Sequence, residues 1–447
     1  AGGFRQQKAL ALMQIGSIHT VRSEYDHAHQ MHDEAANILE ALARKSDVDP
    51  WQIRNLQSAN YKQKCDAYWE AGDLDRAMAC MQTALALDIK NGDVRGEASC
   101  FHREGIIARI QGDYDRAIIA FEKSIALAQM AGASRLQHWL KNSLALSYSN
   151  RGDNQLAKKL FEEFYQTAQE WGALTTQLTA LVNLGLVAAR QGFYLEAKSY
   201  YEQGLMLAIQ SADTRAEGIL LGNLGVIAMR LGAFEEASQL FADSLEARLM
   251  IDARTGELYS RYYIARLAIY KGDYATAVSQ SQRVLDLADE SSIEDIVNLA
   301  RTSLGHAYAM LEQPDRAKPL YQEAIAGWQK TGQNHLLLGP KSGLARIALQ
   351  EDDLDRALML CDEILEQAPD LDLESTFEPF DIWLVCINVL RAAGDDRVES
   401  TLRAAYHRLQ KRAANIPDAD TKSQFLGTIA AHREIISLAR ETLGEAE

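Results

Sequence analysis

Proline is nearly absent from this sequence, with seven in 447 residues. Since proline breaks helix interiors, its scarcity beside abundant Ala, Leu, Glu, Gln and Arg points to an all-helical chain. Long apolar runs are missing too. No stretch reaches the roughly 18 residues a spanning helix needs, and the beginning, Ala1-Gly2-Gly3-Phe4-Arg5-Gln6, has no signal-peptide core. Cysteine is sparse and unpaired in pattern: Cys65, Cys80, Cys100, Cys361 and Cys386 form no CxxC, and are expected to be small buried hydrophobes in a reducing cytoplasm. Basic charge is in deficit, 46 Lys and Arg against 62 Asp and Glu, a formal net charge of −16. Direct binding to nucleic acid or to an anionic membrane is therefore not expected. The chain starts without Met and enters helical sequence at once, which suggests a piece of a longer protein.

What is present is a repeat. Gly72-Asp73-Leu74-Asp75-Arg76-Ala77 returns forty residues later as Gly112-Asp113-Tyr114-Asp115-Arg116-Ala117. Gly152 with Ala157, Gly192 with Ala197, Gly232 with Ala237 and Gly272 with Ala277 keep the step, and Glu312 and Asp352 take the glycine's place before Asp315-Arg316-Ala317 and Asp355-Arg356-Ala357. An earlier unit lies at Ser23–Ala28, displaced by an insertion around Ser46–Trp51, and a degenerate one at Gly394-Asp395-Asp396, about ten units in all. Each reads as two antiparallel helices: the glycine ends the first in a left-handed conformation and the following Asp caps the second. A small residue recurs seven before the glycine (Gly16, Cys65, Gly105, Ala145, Gly185, Gly225, Ala265, Gly305, Ala345). A bulky one recurs nine after it (Met81, Phe121, Phe161, Tyr201, Phe241, Tyr321), expected to fill the gap to the next pair. Asn91-Gly92-Asp93, Ala131-Gly132-Ala133, Trp171-Gly172-Ala173 and Thr331-Gly332-Gln333 end the second helices.

Gly-Asp-Tyr-Asp-x-Ala, preceded by Asn183-Leu184-Gly185 and Asn223-Leu224-Gly225 and followed by an aromatic, resembles the tetratricopeptide repeat over residues 5 to 395. It departs from that family in its forty-residue unit and in lacking the proline at the end of the second helix. The resemblance implies an all-α, right-handed superhelix over 1–395. Units of this length are similar to those of polarity adaptors, kinesin light chains and the sensor arrays of bacterial STAND-class signalling ATPases. Residues 396–447 are expected to form a C-terminal helical cap, two helices at Arg397–Ala413 and Asp420–Leu443 joined by Ala414–Asp418. Leu409–Ala413, Ser423–Leu426 and His432–Ile435 are similar to the ends of STAND-type and cyclase-linked repeat proteins.

No catalytic pattern is found, and no enzyme activity or cofactor is expected. Gly339-Pro340-Lys341-Ser342-Gly343 is only superficially a phosphate loop: Pro340 precedes the lysine, no strand leads in, and the register places it inside a first helix. His27, His29 and His32 lack the spacing and companions of a metal site and read as a surface helix face.

First helices line the groove in the family this chain resembles. Its groove positions, carried onto this register, are Lys62 with Gln63, Asp66 and Trp69; His102, Arg103 and Arg109; Asn142 and Asn150; Asn183 and Arg190; Asn223 and Arg230; Tyr262, Tyr263, Arg266 and Tyr270; His306; and Arg346. This is a ladder of donors on an acidic protein. Arg offers a fork to carboxylates or phosphates and Asn can hold a peptide backbone, which suits a protein or peptide partner of acidic or C-terminal carboxylate character, or a small effector. The same polarity is also what an exposed helix face, or arginine at a helix end, would show without a ligand. Two functions fit: the sensor arm of a larger bacterial signalling protein, or a stand-alone adaptor for acidic segments. The insertion at Asp47–Trp51 and the loop Pro369–Pro379 are further contact candidates.

Overall fold

Each expected turn in the computed structural model, which describes residues 2–45, 48–288, 294–331, 333–367 and 379–444, is a left-handed bend. Gly72, Gly112, Gly152, Gly192, Gly232, Gly272 and Gly394 have φ between 64° and 97°, and Ser23, Glu312 and Asp352 adopt the same region at 60°, 57° and 60°. Asp73, Asp113, Asp273 and Asp353 then cap the following helix, each accepting from a backbone N–H three residues on at 3.1 to 3.2 Å. Gly332, residues 46–47 and residues 368–378 lie outside the described residues, while Pro50 and Trp51 open α3 behind the Asp49 cap.

These bends fold the chain into two compact units, 1–171 and 172–447. The first holds four helix pairs: α1 (Gly2–Val21) with α2 (Tyr25–Ala43), α3 (Pro50–Glu70) with α4 (Leu74–Asn91), α5 (Val94–Ile110) with α6 (Tyr114–Met130), and α7 (Ser134–Arg151) with α8 (Asn154–Glu170). The second begins with α9 (Leu174–Arg190) and α10 (Tyr194–Gln210), α11 (Thr214–Arg230) and α12 (Phe234–Met250), and α13 (Arg254–Lys271) and α14 (Tyr274–Leu287). It continues with α15 (Glu294–Met310) and α16 (Pro314–Thr331), α17 (Leu338–Gln350) and α18 (Leu354–Gln367), and α19 (Pro379–Ala393) and α20 (Val398–Ala414). Within each unit the pairs stack in sequence order as a right-handed α-solenoid. First helices also touch first helices, α11 with α13, α13 with α15 and α15 with α17, so they form one layer of the second unit.

The small-plus-bulky pattern is the packing rule within a pair. A methyl group on Gly105 would lie 2.6 Å from the Phe121 ring, on Gly225 2.5 Å from Phe241, and on Gly305 2.7 Å from Tyr321. The aromatic therefore sits over its own pair's glycine, a refinement of the expected contact with the next pair. Tyr321 does both, because it also covers Gly343 of α17. Burying such a ring contributes about 1.5–3 kcal/mol. Gly339, Pro340, Ser342 and Gly343 are buried in α17, as the helical reading of that segment requires. All five cysteines are buried and free, and burial pushes the Cys65 and Cys100 thiols up to about 12.

Two expectations need correction. His32 is fully buried, not part of a surface face: it lies beneath Gly16, and its Nδ1 is 3.0 Å from Asn60 Oδ1. Burial lowers its pKa. His29 stacks on Tyr68 at 3.9 Å and His27 on His19 at 5.4 Å. The expected helix Asp420–Leu443 is in fact two, α21 (Ala419–Thr428) and α22 (Ala430–Leu443), parted at Ile429, whose backbone is extended (φ −77°, ψ 123°). The break lets the Ile429 side chain enter the cluster formed by Ala228, Met229, Phe234, Ala237, Phe241 and Leu267.

Candidate binding cavity in the second unit

Six of the groove residues meet at one place. Arg190 from the last turn of α9, Asn223 and Arg230 from α11, and Tyr262, Tyr263 and Arg266 from α13 line a cavity of about 320 Å³. Forty-residue spacing puts Arg190 and Arg230 at equivalent points on helices of one layer, and α13 brings Arg266 in from four positions nearer its N-terminus. Tyr201, Tyr259, Asp295, Trp328, Gln333 and His335 complete the polar and aromatic lining. None of these was among the expected residues. Tyr201 could have been found, since it occupies the repeat's aromatic position; Asp295, Gln333 and His335 belong to helix ends and a connection where the register carries no information.

Basic side chains outnumber acidic ones in the lining. Three guanidinium groups face the cavity against a single carboxylate, and Asp295 already accepts twice from Gln333 Nε2 at 2.8 Å. Arg230 and Arg266 are only 9% and 5% exposed, so charge brought to them meets little screening water. Arg266 lies 5.6 Å from the Tyr262 ring centroid, and Tyr263 stacks on Phe241 at 5.5 Å with an 8° tilt. Burial pushes the Tyr259 hydroxyl up to about 12 and also raises those of Tyr262 and Tyr201, so all three are neutral donors at neutral pH. The walls thus combine fixed cations, phenolic donors and apolar faces from Leu186, Val226 and Leu299.

The other expected groove residues lie elsewhere. Tyr270, His306 and Arg346 line a second cavity of the same unit, about 330 Å³, with Asp381 and Ile429. There Arg346 Nη2 donates to Asp381 Oδ2 at 2.5 Å, and Tyr321 Oη lies 2.9 Å from His306 Nδ1. Burial, and then the Arg346 charge, push the His306 pKa down to about 4, leaving it neutral. In the first unit, Arg103 makes a two-pronged pair with Asp66 at 2.7 Å for each bond, and Lys62 Nζ is 2.7 Å from Asp88. His102 is 3.2 Å from Ser143 Oγ, and burial depresses its pKa to about 4; burial also lowers the Arg109 pKa. Asn142 and Asn183 are half-buried on α7 and α9 and line neither cavity. Lys62, Arg103 and Arg346 are thus each paired with a carboxylate of the chain. Among the described residues no group of three His, Cys, Asp or Glu could hold a metal ion, and no helix is long and apolar enough to cross a membrane.

Family models described as tetratricopeptide repeat match residues 56–130 and 176–250, and another of the same description matches 299–331. No curated protein matches the sequence. Among solved structures, the apo form of the quorum sensor NprR from B. thuringiensis is 15% identical, with 81% of this chain and 99% of that one covered at a TM-score of 0.56. The STAND protein with a tetratricopeptide repeat sensor from Pyrococcus horikoshii is 10% identical, with 73% of this chain and 49% of that one covered at a TM-score of 0.50. Both likenesses concern the fold. The matched segments, the forty-residue register and the paired helices agree in showing tetratricopeptide repeats over residues 56–130, 176–250 and 299–331.

Proposed function

We propose that this chain is a non-catalytic sensor module that holds an acidic partner segment, through a carboxylate, in the arginine–tyrosine cavity of the second unit. The carrying observation is the convergence of Arg190, Arg230 and Arg266 with Asn223 on one cavity that has a single, already bonded carboxylate. Guanidinium forks bind carboxylates directionally, and Asn223 can hold the adjoining peptide group. The size suits one or two residues of a peptide, or a small anionic effector, in place of a long extended segment. In a larger bacterial signalling protein such a module would report the ligand to neighbouring domains; NprR, a quorum sensor, and the P. horikoshii protein, a signal-transduction ATPase, have solved structures that share the fold. A free-standing adaptor for acidic segments is the second reading, favoured by the absence of any demand on a neighbouring domain in the cavity's own chemistry.

The test is titration of the full chain with a fluorescent peptide ending in Asp-Glu and with its Lys-Lys counterpart. The acidic peptide should bind and weaken at least about tenfold between 50 and 300 mM salt, as expected for exposed-to-buried charge pairing. Arg190→Gln with Arg266→Gln should cost a further tenfold or more, roughly 1.5–3 kcal/mol for a charged hydrogen bond each. Equal binding of both peptides, or an unchanged double variant with native circular dichroism, would overturn the assignment.

A further inference from the structure

A third cavity of the second unit, about 300 Å³, lies where α19 and the C-terminal end of α20 meet the turn between α9 and α10. Helical periodicity makes it basic: Arg408, Lys411 and Arg412 stand three and four positions apart, so they share one face of α20, and all three line the cavity. The macrodipole of α20 accounts for cations in its last turn, but not for what they face. Trp383 and Phe380 of α19 lie beneath them, with the Arg408 guanidinium 5.5 Å from the Trp383 ring centroid and that of Arg412 5.4 Å from the Phe380 ring. Arg412 Nη1 also donates to Tyr194 Oη at 3.2 Å, and a methyl group on Gly192 would come within 3.4 Å of Arg412 Cγ, so packing places this cation. Among the described residues no carboxylate lines the cavity. Trp383 supplies an independent observation. It is only 6% exposed, and its Nε1–H is buried with no hydrogen-bond partner among the described residues. Buried donors are almost always met, so one left open on a residue that lines a cavity calls for an acceptor in that space.

We propose that this cavity binds a phosphate monoester, its phosphoryl oxygens on Arg408, Lys411 and Arg412 and one of them accepting from Trp383 Nε1. Three cations without a carboxylate match a group that carries close to two negative charges and three acceptor oxygens better than a carboxylate, which has one charge and two oxygens. The amides of Asn415 and Gln191 add neutral donors at the rim of the same space. A volume near 300 Å³ is at the small end of ligand sites, so the organic part of the ester is small or stays outside. Both a free phosphate ester and a phosphorylated side chain meet that condition. None of these residues belongs to the arginine–tyrosine cavity, and the two sites are independent.

The test is titration of the full chain with glycerol phosphate, with a short peptide carrying one phosphoserine, and with glycerate as the carboxylate control. Binding is read by calorimetry and by the indole N–H resonances of the nitrogen-15-labelled protein. One or both esters should bind at least about tenfold more tightly than glycerate, and Arg408→Gln with Lys411→Gln should weaken that binding by about tenfold or more. Of the six indole resonances, the one missing from Trp383→Phe should shift downfield as the ester saturates. Trp383→Phe keeps a ring in place and removes only the donor, so it should weaken the ester by about threefold or more. Tighter binding of glycerol phosphate assigns the site to a free ester, and tighter binding of the phosphopeptide to a modified side chain. A Trp383 resonance that does not move, glycerate binding as tightly as both esters, or an unchanged Arg408→Gln, Lys411→Gln variant would overturn the assignment. So would loss of ester binding on Arg190→Gln with Arg266→Gln, which would move the ester to the arginine–tyrosine cavity.

Discussion

Gly225 has no room for even a methyl group, because the Phe241 ring lies across it. Gly225→Ala should therefore lower stability by about 1–3 kcal/mol through overpacking, visible as a lower midpoint in thermal melting, although alanine is the better helix former. The same register explains His32, which lies sixteen residues after Gly16 as Phe121 lies sixteen after Gly105. Its burial was legible in the repeat and was obscured by the nearby His27 and His29, which invite a reading as a cluster. Three other histidines carry a pH consequence. Burial first, with added repulsion from arginines, pushes His102, His306 and His432 down to about 4, against about 6.5 when unfolded. The unfolded chain therefore binds protons first, so stability is complete above about pH 6.5 and is lost as pH falls toward 4. Unfolding free energies from urea titrations at pH 7.5 and pH 5 should differ by about 2 kcal/mol per histidine, and His432→Gln should remove one share of that difference.

The turns show which part of an element is decided locally. Ser23, Ala212, Asp252, Glu312 and Asp352 take the left-handed conformation that glycine takes in the equivalent turns of other pairs, so the bend is imposed by the two helices and glycine only relieves its strain. Glu312→Gly and Asp352→Gly should each raise stability by about 1 kcal/mol, measured as a shift in urea midpoint. Asp353→Ala, which removes the cap on the Arg356 amide, should cost about 1 kcal/mol. Helix starts and stops were readable throughout because glycine and aspartate punctuate them at fixed intervals. The α21–α22 break was not. Gln424 to His432 has no proline and reads as continuous helix; what divides it is the apolar cluster near Phe241 that receives Ile429, a contact nearly two hundred residues distant in sequence. The cavity was legible to the same extent: its arginines and tyrosines follow from the repeat register, whereas Asp295 and Gln333 come from outside it.

In the first unit, helices pack on their sequence neighbours and the buried side chains fall into several small clusters, so stability there is shared among local interfaces, whereas one larger cluster runs from Leu178 to Ala439 in the second. Urea unfolding of the whole chain should accordingly be broader, with a smaller dependence on denaturant, than a single cooperative transition of a 447-residue protein would give. Coincident transitions by circular dichroism and by tryptophan fluorescence, with the full-size slope, would contradict this. The constant forty-residue period has a further consequence, for copy number. Recombination between any two units in phase, such as excision of residues 213–252, joins equivalent points and leaves a chain that still alternates its helices correctly, one pair shorter. The scaffold can thus gain or lose repeats freely in its descent. The cavity cannot, because α9, α11 and α13 each contribute one of its three arginines, and a deletion that spares the fold would erase the site.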